Sequence, residues 1–362
     1  MQHAIAAIAV SLQWFRFPMT ASTYNRPARF IHVTDTEGHK QPYLDLFGER
    51  LGLSPSVGRI GFAKFRELVA AESVFFGTLD DDVPGFVLVS LARALIGQRT
   101  AGIFMRPQYC LNRTFRGRLK RVPFRLLRAI PLVSTLSLLP FAAQPGLEQV
   151  ASHEVHDPQI WDVFEAPPVA DAEVADRIRA AAAGRLILAV LGTMTAAKGM
   201  NFLADMVRAR PLLTQRYYIL VAAQATTDCI ESARYIDEHG GCWWGRWASD
   251  PELATLYAIS DLIWCRYEHG YDQASGIFGR AIQWGRRAVL RGSAAIVTHY
   301  DDMLQIGSVR LDDDPARAAD QLLELAVAPT PPAGDLSVRL RQWRDDFFST
   351  VAQTTHPCEI TA

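Results

Sequence analysis

Short apolar runs recur along this chain at 30–33, 73–76, 100–104, 132–139, 186–191, 217–222, 262–265 and 288–290. Between them lie amphipathic segments of helical length, such as 43–53, 85–96, 118–130, 202–209 and 252–259. This alternation leaves few ways to fold. Parallel strands need a long crossover between them, usually a helix, so strand and helix in turn predict parallel sheets built from βαβ units. The rhythm breaks once, at Glu165-Ala-Pro-Pro-Val169, where the prolines bar helix and strand alike. An Ala-rich helix over 171–183 follows, closed by Gly184, and the βαβ pattern restarts after Arg185. The expected fold class is therefore α/β, with two doubly wound Rossmann-like domains and a ligand cleft between them at the carboxyl ends of their strands. The boundaries read as 1–28 for an N-terminal appendage, 29–168 for the first domain and 169–335 for the second. Residues 336–362 form a last helix, packing back toward the first domain, and a tail. A chain of 362 residues gives each domain enough length for its own core.

Composition narrows the function. A net charge of −1 argues against a general polyanion binder, so no nucleic-acid partner is expected, and 49% hydrophobic with 21% charged residues is ordinary for a globular protein. The five cysteines follow neither metal-ligand spacing nor a disulfide framework, which predicts a reducing, cytoplasmic setting and no metal. The apolar run 4–12 is too short to span a bilayer and lacks the positive flank of a secretory signal. Residues 1–28 thus read as an appendage or a misassigned start. Charge is uneven, however. From Val83 to Leu147 there is no Asp or Glu, yet there are ten Lys and Arg. Such a span is either a solvated face balanced by acids elsewhere in the fold or a surface drawn to a phosphorylated acceptor or to anionic phospholipid, the latter with peripheral attachment at the inner membrane face.

Two stretches carry chemistry. The run ending at Leu191 leads into Gly192-Thr-Met-Thr-Ala-Ala-Lys198-Gly199 and then a helix. A glycine turn with a lysine near a helix start can neutralise a diphosphate, although a surface lysine before a glycine is also commonplace. The Gly-Lys-Ser/Thr ending of a Walker loop is absent. The second stretch, 241–297, holds Gly245-Arg246, Pro251-Glu-Leu-Ala-Thr-Leu-Tyr257, Ser260-Asp261 and Asp272-Gln273-Ala274-Ser275-Gly276-Ile277-Phe-Gly-Arg280, and then Gly285 before an apolar strand. Small side chains at 274–276 let phosphate oxygens reach backbone N–H groups at a helix start, and Ser275 offers a hydroxyl. Trp243, Trp244 and Trp247 read as packing residues.

Taken in order, these pieces resemble the nucleotide-sugar-binding domain of GT-B glycosyltransferases, in particular the large retaining group called family four. The resemblance covers roughly 186–297. It implies a glycosyltransferase moving a sugar from a nucleotide-diphosphate sugar, as co-substrate and without a separate cofactor, to a saccharide or lipid-linked saccharide acceptor, as in cell-surface polysaccharide synthesis. It places the donor at Gly192, Thr193, Lys198, Arg246, Gln273, Ala274, Ser275, Gly276, Ile277 and Arg280. Catalysis falls to Asp272 and to His39. His39 belongs to Glu37-Gly38-His39 after the first strand, which looks like the acceptor-side loop of such enzymes; Arg106, at the end of another predicted strand, joins Glu37 and Gly38 on that side. The histidine would serve as a general base or polarise a reactant. A loop histidine making only a local hydrogen bond is the plainer reading, with Asp35 and Glu37 as rival carboxylates.

Two departures stand out. The family carries two glutamates eight positions apart, and here those positions are Asp272 and Arg280. A guanidinium accepts no hydrogen bond, so Arg280 cannot clamp a ribose as a glutamate does. Thr193 also stands where the first loop commonly has an arginine. A non-catalytic relative serving as a partner or scaffold, or a nucleotide-sugar epimerase, therefore stays open beside the transferase. No Gly-x-Gly-x-x-Gly follows a strand, which argues against a flavin or nicotinamide enzyme.

Overall fold

The computed structural model describes residues 28–36, 40–111, 115–161, 170–269, 271, 275–292, 295–326 and 334–355. Two six-stranded sheets organise them, and every strand pair is parallel. The first sheet contains β1 (Arg29–Val33), β2 (Ser54–Val57), β3 (Ser73–Phe76), β4 (Thr100–Phe104), β5 (Val133–Ser137) and β6 (His153–Glu154), in the order β2-β1-β3-β4-β5-β6. The second contains β7 (Leu186–Met194), β8 (Tyr217–Ala225), β9 (Cys242–Trp243), β10 (Leu262–Trp264), β11 (Arg287–Arg291) and β12 (Val309–Leu311), in the order β12-β11-β10-β7-β8-β9. Helices join the strands. Those used below are α1 (Lys40–Leu51), α2 (Val83–Leu95), α3 (Phe115–Leu127), α4 (Pro158–Trp161), α5 (Ala172–Ala182), α6 (Met200–Ala209), α7 (Asp250–Ile259), α8 (Gly276–Gln283), α9 (Pro315–Glu324) and α10 (Gly334–Thr355). This is the two-domain α/β class that the alternation predicts.

Local chemistry sets the helix starts. The backbone N–H of Gly85 donates to Asp82 at 2.9 Å, that of Val174 to Asp171 at 3.1 Å and that of Arg317 to Asp314 at 2.9 Å, each carboxylate supplying an acceptor that the first turn lacks. Ser249 and Glu252 form a capping box at α7. Helix α5 ends on Ala183 and Gly184, both left-handed.

The strand orders also position any ligand. In an open parallel sheet the crevice opens where the order reverses, so that the loops on either side diverge. In the second sheet the reversal lies between β7 and β10, and in the first between β1 and β3. One continuous apolar core runs from Ile31 and Phe75 of the first sheet through Trp161 to Leu191 and Ile263 of the second. Helix α10 lies against the first sheet's elements: Phe347 packs on Phe47 at 5.6 Å between ring centroids, and Ser73 donates to the Thr355 carbonyl at 3.2 Å.

A buried acid sits where the two halves meet. Asp157 is fully buried, accepting from the Tyr43 hydroxyl and the Gln159 N–H, both at 2.8 Å, while its Oδ2 has no partner. Burial, opposed by those two hydrogen bonds, pushes its carboxyl up to about 6. The folded value thus lies above the unfolded one. The protein is most stable through this group at low pH, and that contribution is lost as pH rises through about 6. Asp157→Asn keeps the accepting oxygen and removes the charge. Urea unfolding should show it about 1–2 kcal/mol more stable than wild type at pH 8, with a flatter profile between pH 4 and 6. Equal stabilities at pH 8 would refute this account.

Candidate functional site

At the second sheet's reversal, Gly192 lies near the end of β7 with a φ of +82°, in a strand that stays paired with β8 as far as Met194. A Cβ there would sit 3.4 Å from the Ile277 side chain, so the end of β7 and the first turn of α8 face each other. Ser275 caps α8 by accepting from the Phe278 N–H at 3.2 Å, and its hydroxyl is also paired with Tyr267. The sequence reading offered that hydroxyl to a phosphate; the fold uses it to hold the helix. The N–H groups of Gly276 and Ile277 have no internal acceptor in an α-helix, and they carry the positive end of its dipole. What this segment can offer an anion is therefore its backbone N–H groups.

Lys198 stands on the other wall. It is half-buried in a 3₁₀ turn, Ala196–Lys198, and its carbonyl accepts from the Trp264 indole at 3.2 Å. Among the described residues no carboxylate pairs with its ammonium. Burial pulls its pKa below the usual lysine value. The nearby Cys265 thiol is pushed up to about 12 by burial, so it is neutral and offers no counter-charge. Gly199 makes the turn possible. Its φ is +77°, and a Cβ would lie 2.2 Å from the Arg266 carbonyl, which ties the lysine loop to the segment after β10. Behind that segment, Arg266 is buried over the Phe202 ring at 3.3 Å and pairs with Glu268 and Asp313.

The remaining donor-side residues divide. Arg246 is bidentate to Glu252 at 2.9 and 2.6 Å and lies 4.8 Å over the Trp244 ring. That pairing holds the Glu252 carboxyl at about 2 and fastens the loop to α7. Arg280 donates to Gln283 at 2.6 Å, and Gln283 donates to the carbonyls of Gln159 and Ile160 in α4, so this position is linked to the seam between the halves. Thr193 accepts from the Trp247 indole at 3.2 Å. Trp247 corrects the expectation of a packing residue: it is 63% exposed, because its loop leaves the sheet after the edge strand β9 and reaches back to Thr193 near the end of β7. Only this contact, across 54 residues of sequence, reveals where the indole lies.

On the first sheet, Arg106 is exposed at the end of β4, and its N–H donates to Asp80 at 3.1 Å. Asp80 and Asp82 are thus occupied with backbone groups. No group of potential metal ligands exists among the described residues. Glu37, Gly38, His39, Asp272, Gln273 and Ala274 lie outside the described residues. So does the linker 165–169.

The sequence matches no family model and no curated protein. Solved structures do resemble the fold. HepE of Anabaena, in complex with UDP and glucose, is 10% identical with a TM-score of 0.59, over 91% of this chain and all of that one. A glycosyltransferase from Rickettsia africae is 12% identical with a TM-score of 0.54, over 92% of this chain and 95% of that one. A UDP-forming trehalose-phosphate synthase from Burkholderia xenovorans is 11% identical with a TM-score of 0.51, over 92% of each chain. The chain shares with these glycosyltransferases the two-domain α/β architecture of the GT-B fold.

Proposed function

We propose that this protein is a GT-B glycosyltransferase that takes a sugar from a nucleotide-diphosphate sugar and passes it to a saccharide or lipid-linked saccharide. The observation that carries this reading is the convergence, at one topological switch point, of Gly192 at the end of β7, the N-terminus of α8 and a half-buried Lys198 with no carboxylate on it among the described residues. A diphosphate supplies the missing anion. As the bond from the sugar's anomeric carbon to the diphosphate oxygen breaks, negative charge grows on that oxygen. Lys198 and the N–H groups of Gly276 and Ile277 are set to stabilise it without reorganising. Trp247 walls the end of β7 and offers a ring face to the base or the sugar. Asp272 is assigned to a donor-sugar hydroxyl, and His39 to the acceptor or its proton. The nearby GT-B structures include one in complex with UDP and glucose, which supports a nucleotide sugar as ligand.

A thermal-shift screen of nucleotide-diphosphate sugars, followed by product analysis with and without saccharide acceptors, tests this. Stabilisation by at least one donor and transfer to an acceptor are the expected results. Binding to no donor favours a scaffold, and an altered sugar without an acceptor favours an epimerase. Arg280→Glu restores an acceptor for ribose hydroxyls and is expected to raise affinity for uridine donors several-fold; no change would separate position 280 from the ribose.

A further inference from the structure

Seven of the thirteen large hydrophobic side chains that are exposed among the described residues lie on or just beyond two helices of the first domain, α2 and α3. On α2 they are Leu88, Leu91 and Leu95, with Ile96 next to the last turn; their spacing puts them on one face. On α3, Leu119, Val122 and Leu126 repeat the same spacing. The two helices are neighbours, since Phe86 of one stacks on Phe124 of the other with centroids 6.2 Å apart, and the opposite faces are turned outward. An exposed apolar strip of this size on a globular protein marks an interaction site rather than chance.

Charge decides the partner. The solvent face of α2 carries no charged residue, because its one ionic side chain, Arg93, is wholly buried and donates to the carbonyls of Leu68, Ala71, Glu72 and Arg99 at 2.6–3.1 Å. On α3 and just beyond it the exposed ions are all cations, Lys120, Arg125 and Arg128, and the exposed acids Glu67 and Glu148 lie on the neighbouring elements. The acid-free span from Val83 to Leu147 contains both helices entirely. An apolar strip on two helices whose own exposed ions are all cations fits a surface with the opposite sign and an apolar layer just beneath it. No described helix is long and apolar enough to cross a membrane, so the contact lies in the membrane plane.

We infer that α2 and α3 form a docking face for the surface of an anionic lipid bilayer, with the leucines entering the headgroup boundary and the cations pairing with headgroup phosphates. This face does not depend on the glycosyl-transfer reading, since no donor-side residue belongs to it.

The test is co-sedimentation of the full chain with vesicles of phosphatidylcholine and phosphatidylglycerol in equal parts, and with phosphatidylcholine alone, at low salt and at ~0.5 M salt. Wild type should be retained by the anionic vesicles at low salt and largely released at high salt. Leu91→Glu/Leu95→Glu and Leu119→Glu/Leu126→Glu should each lose retention roughly tenfold or more. Lys120→Gln/Arg125→Gln/Arg128→Gln should lose retention on anionic vesicles by roughly tenfold as well. These side chains are exposed, and unchanged thermal unfolding would show that the variants remain folded. Equal retention of the glutamate variants and wild type overturns the proposal. So does a wild type that neither vesicle retains, including one that forms dimers dispersed by Leu91→Glu, since the face would then be a self-interface.

Discussion

Lys198→Ala is expected to weaken binding of the donor found in the nucleotide-sugar screen by on the order of a hundredfold, while the melting temperature of the free protein stays level or rises. The two halves of that expectation have one cause. A half-buried ammonium has lost hydration, which lowers its pKa, and among the described residues no carboxylate compensates it. Removing it costs the free protein nothing in charge pairing. With a diphosphate present, the same ammonium makes a charge-assisted contact in a partly dehydrated site, worth ~1.5–3 kcal/mol. A hundredfold corresponds to about 2.7 kcal/mol, within that range. Calorimetric titration of wild type and variant with the same donor provides the measurement. A donor that binds both equally would remove Lys198 from the site, whereas a wild type that binds no donor would remove the site itself. Lys198→Arg should recover only part of the loss, because the larger planar group must fit the space between Gly192 and Cys265.

The neighbouring residue should behave in the opposite way. Gly199→Ala is expected to destabilise the protein by about 3 kcal/mol, as the sum of ~1–2 kcal/mol for a left-handed alanine and ~1–3 kcal/mol for overpacking. Both terms are required by the geometry: φ is +77°, and the added Cβ falls 2.2 Å from the Arg266 carbonyl, which is fixed backbone. Gly52→Ala separates the two. Gly52 has a similar φ of +62° but open space around its Cβ, so it should cost only ~1–2 kcal/mol. Urea unfolding of the three proteins provides the comparison. Equal losses at both glycines would mean that the loops after β7 and β10 are not in contact at this point. The pair Lys198 and Gly199 would then divide cleanly, with one residue serving the ligand and the other serving the fold.

Much of the architecture was legible because its causes are local. The runs at 73–76 and 100–104 coincide with β3 and β4, and the Asp82, Asp171, Ser249 and Ser275 caps stand where short polar side chains precede periodic segments. Four strands escaped that reading. Strand β2 carries Pro55 and is mostly exposed at the sheet edge, while β6, β9 and β12 have two or three residues each, too few to show a period. Their neighbours in the sheet, not their sequence, make them strands.

The site was legible in part for the same reason. Gly192, Lys198-Gly199 and the small-residue start of α8 are features of consecutive residues, so the sequence alone singled out these two loops as the candidate site. It also placed an acid-free basic stretch in the first half of the chain. The tertiary structure decided the rest. Only the strand order puts the two loops across one switch point, and only the fold spends Ser275 on Tyr267, Arg246 on Glu252 and Arg280 on Gln283. It brings Trp247 back over Thr193, and it sets the leucines of α2 beside those of α3 with their free faces outward. The division has a physical origin. Propensity, capping and turn geometry act over a few residues and are written in the chain, whereas a side chain's partner is chosen by whichever distant segment the packed sheets bring within hydrogen-bonding reach.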